Sequence, residues 1–184
     1  MCDQSCMDWG QRVLTEEKIK GKRIIEIGSL DVNGSFRPIA KRFEPACYVG
    51  IDLRPGKGVD VVCKAEEITQ WWGKEQFDVA ITTNTFEHIE YWKEAISNLK
   101  NIVVKGGYIF FEAPSVWPLH EFPHDHWRYS KEDVEAIFED CEIEQIEYNS
   151  NHTIINAVIR KPEDFMEKNL SEYKLFNINT GVKQ

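Results

Sequence analysis

The sequence predicts an α/β fold, and two features of its pattern support this. Short apolar runs rich in β-branched and aromatic residues alternate with amphipathic stretches, a pattern typical of a sheet whose strands are joined by crossover helices. Near the carboxyl end, two consecutive strand-like runs flank the turn-rich tetrad Asn149-Ser150-Asn151-His152, which indicates an antiparallel hairpin. We therefore expect a mostly parallel sheet that ends in an antiparallel pair.

Seven segments are predicted as strands. The first five are short and apolar, as expected of parallel strands covered on both faces. They are Arg23–Ile27, Cys47–Ile51, Val59–Cys63, Phe77–Thr82 and Tyr108–Glu112. The two strands of the hairpin are predicted over Glu142–Tyr148 and Thr153–Arg160.

Helical spacing of apolar residues predicts the connections between these strands. Helices are expected at about Phe36–Phe43, Ala65–Trp72, Tyr91–Val104 and Lys131–Asp140. Gly106-Gly107 is expected to end the third of them, and Ser130 with Asp133 forms an approximate capping box at the start of the fourth. Residues 162–184 are predicted to form a weakly amphipathic helix and then a polar tail.

Length and charge limit the possible classes of protein. The 184 residues fit a single domain, 1–184, with a core at about 22–160 and a C-terminal helix and tail at 162–184. A net charge of −9 opposes binding to nucleic acid or to anionic lipid, so neither is an expected partner. The chain shows no apolar run of membrane-spanning length and no signal peptide, so we expect a cytoplasmic protein. The polar tail could dock on the domain, form a homodimer or fray.

The five cysteines are predicted to be free thiols, because their number is odd and no close C-x-x-C pair occurs. Cys2 and Cys6 could begin a metal or iron–sulfur site, but no third or fourth ligand lies nearby in the sequence. Cys47 and Cys63 fall in strand-like runs, where we expect them to be buried.

A glycine turn after the first strand is the most informative segment. Gly28 ends the strand Arg23–Ile27 where a helix is expected to follow, and such a turn borders the crevice in which α/β sheets bind ligands. Asp52 ends the second strand, where a carboxylate can accept hydrogen bonds from both hydroxyls of a ribose. Together they indicate a ligand that contains adenosine, although Asp52 could also be a simple turn residue.

The type of adenosine ligand follows from the residues around that turn. A dinucleotide favours G-x-G-x-x-G, whereas Leu30, Asp31 and Val32 stand between the glycines here. The carboxylates of Glu26 and Asp31 disfavour a pyrophosphate and suit a ligand that carries an ammonium or sulfonium cation. S-adenosylmethionine is such a ligand, and we predict it as the cofactor.

Four segments then carry a resemblance to a known family. EIGSLDVNGS, YVGIDLRPGKGVDVV, NTFEHI and HDHWRYS resemble, in order, the motifs of class I S-adenosylmethionine-dependent methyltransferases. The resemblance covers about residues 22–160 and is strongest to the small Rossmann-like branch whose first motif reads E-I-G-S-L-x-V-N-G-S. It implies a Rossmann-like seven-stranded, mostly parallel sheet with an antiparallel last strand and helices on both faces.

The resemblance also implies a set of cofactor contacts. Glu26, Gly28, Ser29, Leu30 and Asp31 would line the methionine part, Asp52 would hold the ribose, Leu53 would contact adenine, and Asn84 would approach the sulfonium. Lys64 stands where many relatives have an Asp. Glu66 is therefore expected to accept a hydrogen bond from the adenine amino group, and the Ala65 amide is expected to donate to the ring. Asp31 is equally well explained as a helix N-cap. Glu87 and His88 match a family pair, and capping of the helix that starts near Glu90 is the alternative.

The loop at 114–130 contains His120, His124 and His126. We interpret it as a lid in which His124 or His126 accepts a proton and His124, Trp127, Arg128 and Tyr129 shape the acceptor pocket. The alternatives are a rigid loop whose Trp packs in the core and whose Arg pairs with an acid, and a metal site. The lid is favoured, so no metal is expected.

The predicted reaction is in-line methyl transfer from the sulfonium to a small-molecule or sugar-like acceptor. Alignment of nucleophile, carbon and sulfur would supply most of the acceleration, and His88 or His126 would act as the base for an acceptor that carries a proton. A catalytically silent binder of the same ligand is the alternative from another class. An NAD-dependent oxidoreductase is a weaker alternative.

Overall fold

The computed structural model describes residues 4–120 and 124–184. The helices are α1 (Gln4–Val13), α2 (Glu16–Ile19), α3 (Arg37–Lys41), α4 (Ile68–Trp72), α5 (Trp92–Ile102) and α6 (Lys131–Ile137). The strands are β1 (Arg23–Ile27), β2 (Cys47–Asp52), β3 (Val61–Val62), β4 (Phe77–Thr83), β5 (Val103–Pro114), β6 (Trp127–Arg128), β7 (Glu142–Tyr148), β8 (Ile154–Arg160), β9 (Phe176–Asn177) and β10 (Val182–Lys183). Two short 3-10 helices cover Ala65–Glu67 and Phe86–His88.

Seven strands form the main sheet, in the order β3-β2-β1-β4-β5-β8-β7. The first five in this order run parallel to their neighbours, whereas β8 is antiparallel to both β5 and β7. This confirms the predicted Rossmann-like architecture with an antiparallel last strand. The strand order reverses at β1, which has β2 on one side and β4 on the other, so a crevice is expected at the carboxyl ends of these strands.

Helices cover both faces of this sheet because successive strand residues point to opposite sides. Ile24 of β1 belongs to a core with Trp9 of α1, whereas Ile25 belongs to the core on the other face with Leu99 of α5. The N-terminal helix was not predicted from the sequence. Trp9 fixes it there, because its ring packs against Phe36 and Phe110 and is 1% exposed.

Gly106-Gly107 does not end a helix, contrary to the prediction. The helix α5 ends at Ile102, and the two glycines lie inside β5. Val103 pairs with Phe77 and Tyr108 with Val79, so the residues between Val103 and Tyr108 bulge out of register. Gly106 adopts φ +75° in this bulge, a conformation that glycine tolerates best. The glycines therefore mark an irregular strand.

Other predictions were correct in part. The capping box at α6 is present, with Ser130 Oγ accepting from the Asp133 amide at 3.1 Å and the Asp133 carboxylate accepting from the Ser130 amide at 3.0 Å. Cys47, Cys63 and Cys141 are free thiols as predicted, but Cys47 is exposed, because it begins β2 where that strand reaches the surface. Cys2 lies outside the described residues.

Residues 162–184 do not form the predicted helix. They run over the surface in turns and end in β9 and β10, which form a second sheet with β6 in the order β10-β9-β6. Leu170 and Leu175 are buried in the main core, so this segment is held by its apolar residues at irregular spacing. In the described ranges 4–120 and 124–184, no helix has the length and apolar character needed to cross a membrane.

Candidate active site

A cavity of about 370 Å³ opens at the carboxyl ends of β1, β2 and β4. Its wall contains twelve of the residues predicted to bind the cofactor or act in catalysis or acceptor binding, together with His120 of the loop. These predicted residues are Glu26, Gly28, Ser29, Leu30, Asp52, Leu53, Ala65, Glu66, Asn84, His88, His124 and His126. The switch in strand order at β1 creates this space, because the connections that follow β1 and β4 leave toward opposite faces of the sheet.

The turn after β1 needs a glycine at position 28 for two reasons. Gly28 has φ +77°, and a Cβ atom there would lie 2.0 Å from Thr85 Oγ1. Thr85 is held in place because its hydroxyl donates to the carbonyl oxygens of Thr83 and Ile27, at 3.1 and 3.3 Å. The backbone amides of Gly28 and Ser29 both donate to Ile51 O at 2.9 Å, which ties the turn to β2. The turn is thus a rigid part of the cavity wall.

Asp52 ends β2 with its carboxylate between two backbone segments. Its Oδ2 accepts from the Leu30 amide at 3.3 Å, and its Oδ1 accepts from the Arg54 amide at 3.2 Å. These two bonds orient the group, and each carboxylate oxygen retains lone-pair capacity for a further donor. Asp52 therefore stabilises the turn and also lines the cavity, and its contact with a ribose stays a prediction.

Two further polar groups sit at the inner end of the cavity. Glu26 is 2% exposed, and Ser35 Oγ lies 3.5 Å from its Oε2. Asn84 follows β4 and has φ +47°, an uncommon conformation that asparagine adopts more readily than most residues. Its Nδ2 donates to Glu112 Oε1 at 2.5 Å, which fixes the amide at the cavity edge. Glu26 is thus contacted by the segment before α3, and Asn84 is held by the strand β5.

The segments that follow β2 and β3 form the outer side of the cavity. Leu53, Lys64, Ala65 and Glu66 all line it, and Leu53 exposes 55% of its surface. Lys64 Nζ lies 3.8 Å from Glu67 Oε1, so the lysine that departs from the family pattern pairs along the 3-10 helix. Burial raises the pKa of the Cys63 thiol, which also lines the cavity, to about 11. The thiol is therefore protonated at neutral pH.

Asp31 does not line the cavity, contrary to the prediction from the resemblance. Its Oδ2 pairs with Lys57 Nζ at 2.6 Å and its Oδ1 accepts from the Gly34 amide at 3.1 Å. It does not cap α3 either, because Phe36 is the N-cap of that helix. The reason is local: an Asp side chain readily bonds to backbone amides a few residues ahead and so stabilises its own turn.

Four histidines line the opposite side of the cavity: His88, His120, His124 and His126. Burial lowers the pKa of His88 and also that of His126. Both imidazoles are therefore neutral at pH 7, the state in which a ring nitrogen can accept a proton. The fold brings His88, which follows β4, together with histidines of the 114–130 loop, of which residues 121–123 lie outside the described part.

Trp127, Arg128 and Tyr129 do not line the cavity, so the expectation that they shape the acceptor pocket is corrected. Trp127 packs in the core and its Nε1 donates to Ile89 O at 2.8 Å. Arg128 makes a bidentate pair with Asp125, at 2.6 and 2.7 Å, and the Tyr129 hydroxyl donates to Phe86 O at 3.2 Å. Large side chains on a loop that crosses the core gain more by burial than by facing solvent. They hold the loop in place.

Glu87 does not cap a helix. The helix α5 begins at Trp92, and its N-cap residue Tyr91 makes no side-chain capping bond. Glu87 instead points inward from the 3-10 helix Phe86–His88, and it is 0% exposed. Burial raises the pKa of this carboxyl group to about 7.

Two parts of the site were not predicted from the sequence. Ile89, Glu90 and Tyr91 complete the cavity wall after β4, and their position directly behind the NTFEHI motif is the signal that could have indicated them. The C-terminal segment supports the histidine loop, since Ile178 N donates to His126 O at 2.8 Å and Asn179 Nδ2 donates to Asp125 O at 2.5 Å. No local sequence signal indicated that contact.

A glycine turn, a strand-end carboxylate and a cavity at the strand-order switch define an α/β enzyme that binds a nucleoside-containing cofactor. Residues 3–153 match the methyltransferase-domain family, and the chain belongs to that family. It is a class I S-adenosylmethionine-dependent methyltransferase, as the motif resemblance predicts. No sequence among the curated proteins matches it.

Solved structures share the fold at low sequence identity. One is the 1,6-didemethyltoxoflavin-N1-methyltransferase of Burkholderia thailandensis with bound 1,6-didemethyltoxoflavin and S-adenosylhomocysteine, which is 10% identical with a TM-score of 0.68, covering 88% of this chain and 80% of that one. The N-methyltransferase NodS of Bradyrhizobium japonicum is 14% identical with a TM-score of 0.63, covering 88% and 98%. The [4+2]-cyclase SpnF is also 14% identical, with a TM-score of 0.64 and coverage of 86% and 82%.

Proposed function

We propose that the cavity binds S-adenosylmethionine and that its methyl group passes to a small-molecule or sugar-like acceptor held beside the histidines. The observation that carries this proposal is the position of Asp52, whose carboxylate lines the cavity next to the Gly28 turn and is oriented by two backbone amides. That arrangement suits a ribose diol, because each carboxylate oxygen can accept one hydroxyl hydrogen.

The charge of the wall supports a cationic ligand. Glu26, Asp52, Glu66 and Glu90 line the cavity, against Arg54 and Lys64 among its cationic side chains. Carboxylates near a sulfonium or an ammonium group stabilise it by direct Coulomb attraction, which is strongest where the site is partly shielded from water. The buried Glu26 suits the methionine ammonium group, and Asn84 the region near sulfur. Leu53, Ala65 and Glu66 suit the adenine ring.

The reaction mainly requires that the acceptor atom, the methyl carbon and sulfur are held in line. The acceptor atom attacks the methyl carbon, the carbon–sulfur bond breaks, and its electron pair stays on sulfur, which becomes a neutral thioether. Holding acceptor and sulfonium in line converts an encounter in solution into a reaction within one complex. His88 or His126 would take the proton of a hydroxyl or amine acceptor, and His124 would contact the acceptor. We place this activity in the cytoplasm.

The relatives agree with an acceptor of modest size. A toxoflavin precursor is bound in the Burkholderia structure. In this chain the acceptor side of the cavity is formed by the segment after β4 and by the described residues of the histidine loop. The net charge of −9 also disfavours nucleic acid as the acceptor.

Isothermal titration calorimetry tests the cofactor site. S-adenosylmethionine and S-adenosylhomocysteine are expected to bind and NAD is not. Asp52→Ala is expected to weaken binding at least 100-fold, because it removes the acceptors for the ribose diol. Asp31→Ala is the matched control: its carboxylate lies outside the cavity wall, so binding should change by less than about threefold.

Incubation with a methyl-labelled cofactor and a panel of hydroxyl- and amine-bearing metabolites then tests turnover. Transfer of label to one acceptor class supports the proposal. Cofactor binding without transfer to any acceptor would favour the catalytically silent binder, and binding of NAD in place of S-adenosylhomocysteine would overturn the cofactor assignment.

A further inference from the structure

Three side chains on the acceptor side of the cavity converge on one point. Glu87 and His88 come from the 3-10 helix after β4, and His120 comes from the histidine loop. One ligand atom from each of the three lies within 4.8 Å of the other two. His88 Nε2 is 3.6 Å and His120 Nε2 is 3.9 Å from the same oxygen, Glu87 Oε1. The two separations are too long for hydrogen bonds.

Burial of the carboxylate at the centre of this cluster outweighs the groups that stabilise its charge. The Glu87 side chain is 1% exposed, and neither of its oxygens has a hydrogen-bond partner among the described residues. A buried carboxylate without partners costs several kcal/mol in its ionised form, so such groups are normally paired, hydrogen-bonded or bound to a metal. The two imidazoles face it, and the Asp125 carboxylate lies near enough to disfavour its ionised form.

The other nitrogen of each imidazole is already engaged. His88 Nδ1 lies at hydrogen-bonding distance from His124 O. His120 Nδ1 is 3.0 Å from Asp125 Oδ2 and 3.2 Å from Pro118 O, and Asp125 is itself fixed by Arg128. Nitrogens that donate to a carbonyl or carboxylate oxygen leave the lone pair of the second nitrogen free, and metal-binding histidines are usually oriented in this way.

We propose that Glu87, His88 and His120 bind one divalent transition-metal ion through the Glu87 carboxylate and the two Nε2 atoms. Two imidazoles and one carboxylate form a donor set that suits Zn²⁺, Fe²⁺ or Mn²⁺. Ion–ligand distances of roughly 2.1 Å place neighbouring ligand atoms about 3 to 3.5 Å apart, so the cluster, whose ligand atoms lie within 4.8 Å of one another, must close by less than about 2 Å. His88 and His120 also line the cavity, which leaves the open coordination positions facing the acceptor.

The role of the ion rests on the proposed methyl transfer. A hydroxyl oxygen of the acceptor that reaches an open position would be polarised and would lose its proton more readily. That proton passes to His126 or to water, the oxygen–carbon bond forms, and the carbon–sulfur bond breaks with its electron pair remaining on sulfur. His88 then serves as a metal ligand, and His126 remains as the base.

Metal titration of tag-free, chelator-treated protein tests the site. Zn²⁺ is followed by calorimetry and Co²⁺ by its visible absorption, and we expect one equivalent of each to bind. Glu87→Gln and His120→Gln should each weaken binding at least tenfold and change the Co²⁺ spectrum, because each removes one ligand. His152→Gln is the matched control, since His152 lies in the exposed turn between β7 and β8, and it should bind metal as the parent does.

Binding of S-adenosylhomocysteine is measured on every variant as a separate readout. Loss of metal with retained cofactor binding supports the metal site. Failure of the parent to bind a metal ion, or unchanged binding in both Glu87→Gln and His120→Gln, would overturn the site while leaving the proposed function intact. Metal binding by a chain that does not bind the cofactor would overturn the proposed function alone. His120 is 25% exposed, so His120→Gln remains informative if Glu87→Gln does not fold.

Discussion

The two sides of the cavity are built by different means. On the cofactor side, the turn after β1 and the end of β2 are joined by backbone hydrogen bonds within the sheet, such as Gly28 N to Ile51 O. On the acceptor side, the histidine loop is held by side chains and by the distant C-terminal segment, for example Arg128 with Asp125 and Asn179 with Asp125 O. One side is a property of the sheet, and the other depends on side chains within the loop and on a segment remote in sequence.

This difference shows how such a fold separates cofactor binding, which does not depend on the acceptor, from recognition of a particular acceptor. Parallel strand ends present backbone amides and a few fixed side chains for a cofactor, whatever the acceptor is. The loop that meets the acceptor can change length and composition, provided that something supports it. Here that support is the small sheet of β6, β9 and β10.

Breaking the buried ion pair of the loop is expected to have the largest effect. Arg128→Met removes the guanidinium group from the buried Asp125 carboxylate, which keeps its contacts with His120, and costs about 3–5 kcal/mol in the free energy of unfolding. Denaturant unfolding measures it. Arg12→Met is the control, because Arg12 pairs with Glu147 at the surface and is 59% exposed, so it should cost less than about 1 kcal/mol. Equal losses in both variants would show that the loop is not held as described.

On the cofactor side, a substitution in the glycine turn is expected to weaken cofactor binding. Gly28→Ala places a methyl group against Thr85 Oγ1 and forces alanine into φ +77°. We expect binding of S-adenosylhomocysteine to weaken at least 100-fold, about 2.7 kcal/mol, by calorimetry. Gly21→Ala shares the strained backbone at φ +67° but meets no atom within 4 Å, so it should bind normally. Normal binding by Gly28→Ala would contradict a rigid turn.

The smallest effect on cofactor binding is expected from removal of residues 176–184. This deletion removes β9 and β10 and so leaves β6 without its partner strand. Hydrogen exchange should rise at 124–130 and stay unchanged at 28–34, with cofactor binding within about threefold of the parent. Equal exchange at the two segments would show that the tail does not support the loop.

The cofactor side of the site could be predicted from the sequence because it depends on patterns within a few residues. A strand that ends in Gly28 and another that ends in Asp52 carry the signal within a few residues, and the motifs supplied their order. Asp31 was misassigned because a carboxylate in a turn satisfies its own backbone as readily as it binds a ligand. Gly106 was misread because a glycine that ends a helix and one that forms a bulge look alike in a sequence.

The sequence by itself determined the seven-stranded architecture and most of the cofactor wall, because strand periodicity and turn chemistry act over short distances. Only the tertiary structure decided that Trp127, Arg128 and Tyr129 turn inward, that the C-terminal segment pairs with β6, and that Glu87 faces His120. These depend on which surfaces are buried against each other once the chain has folded, and burial sets both the direction of a side chain and the state of its charge.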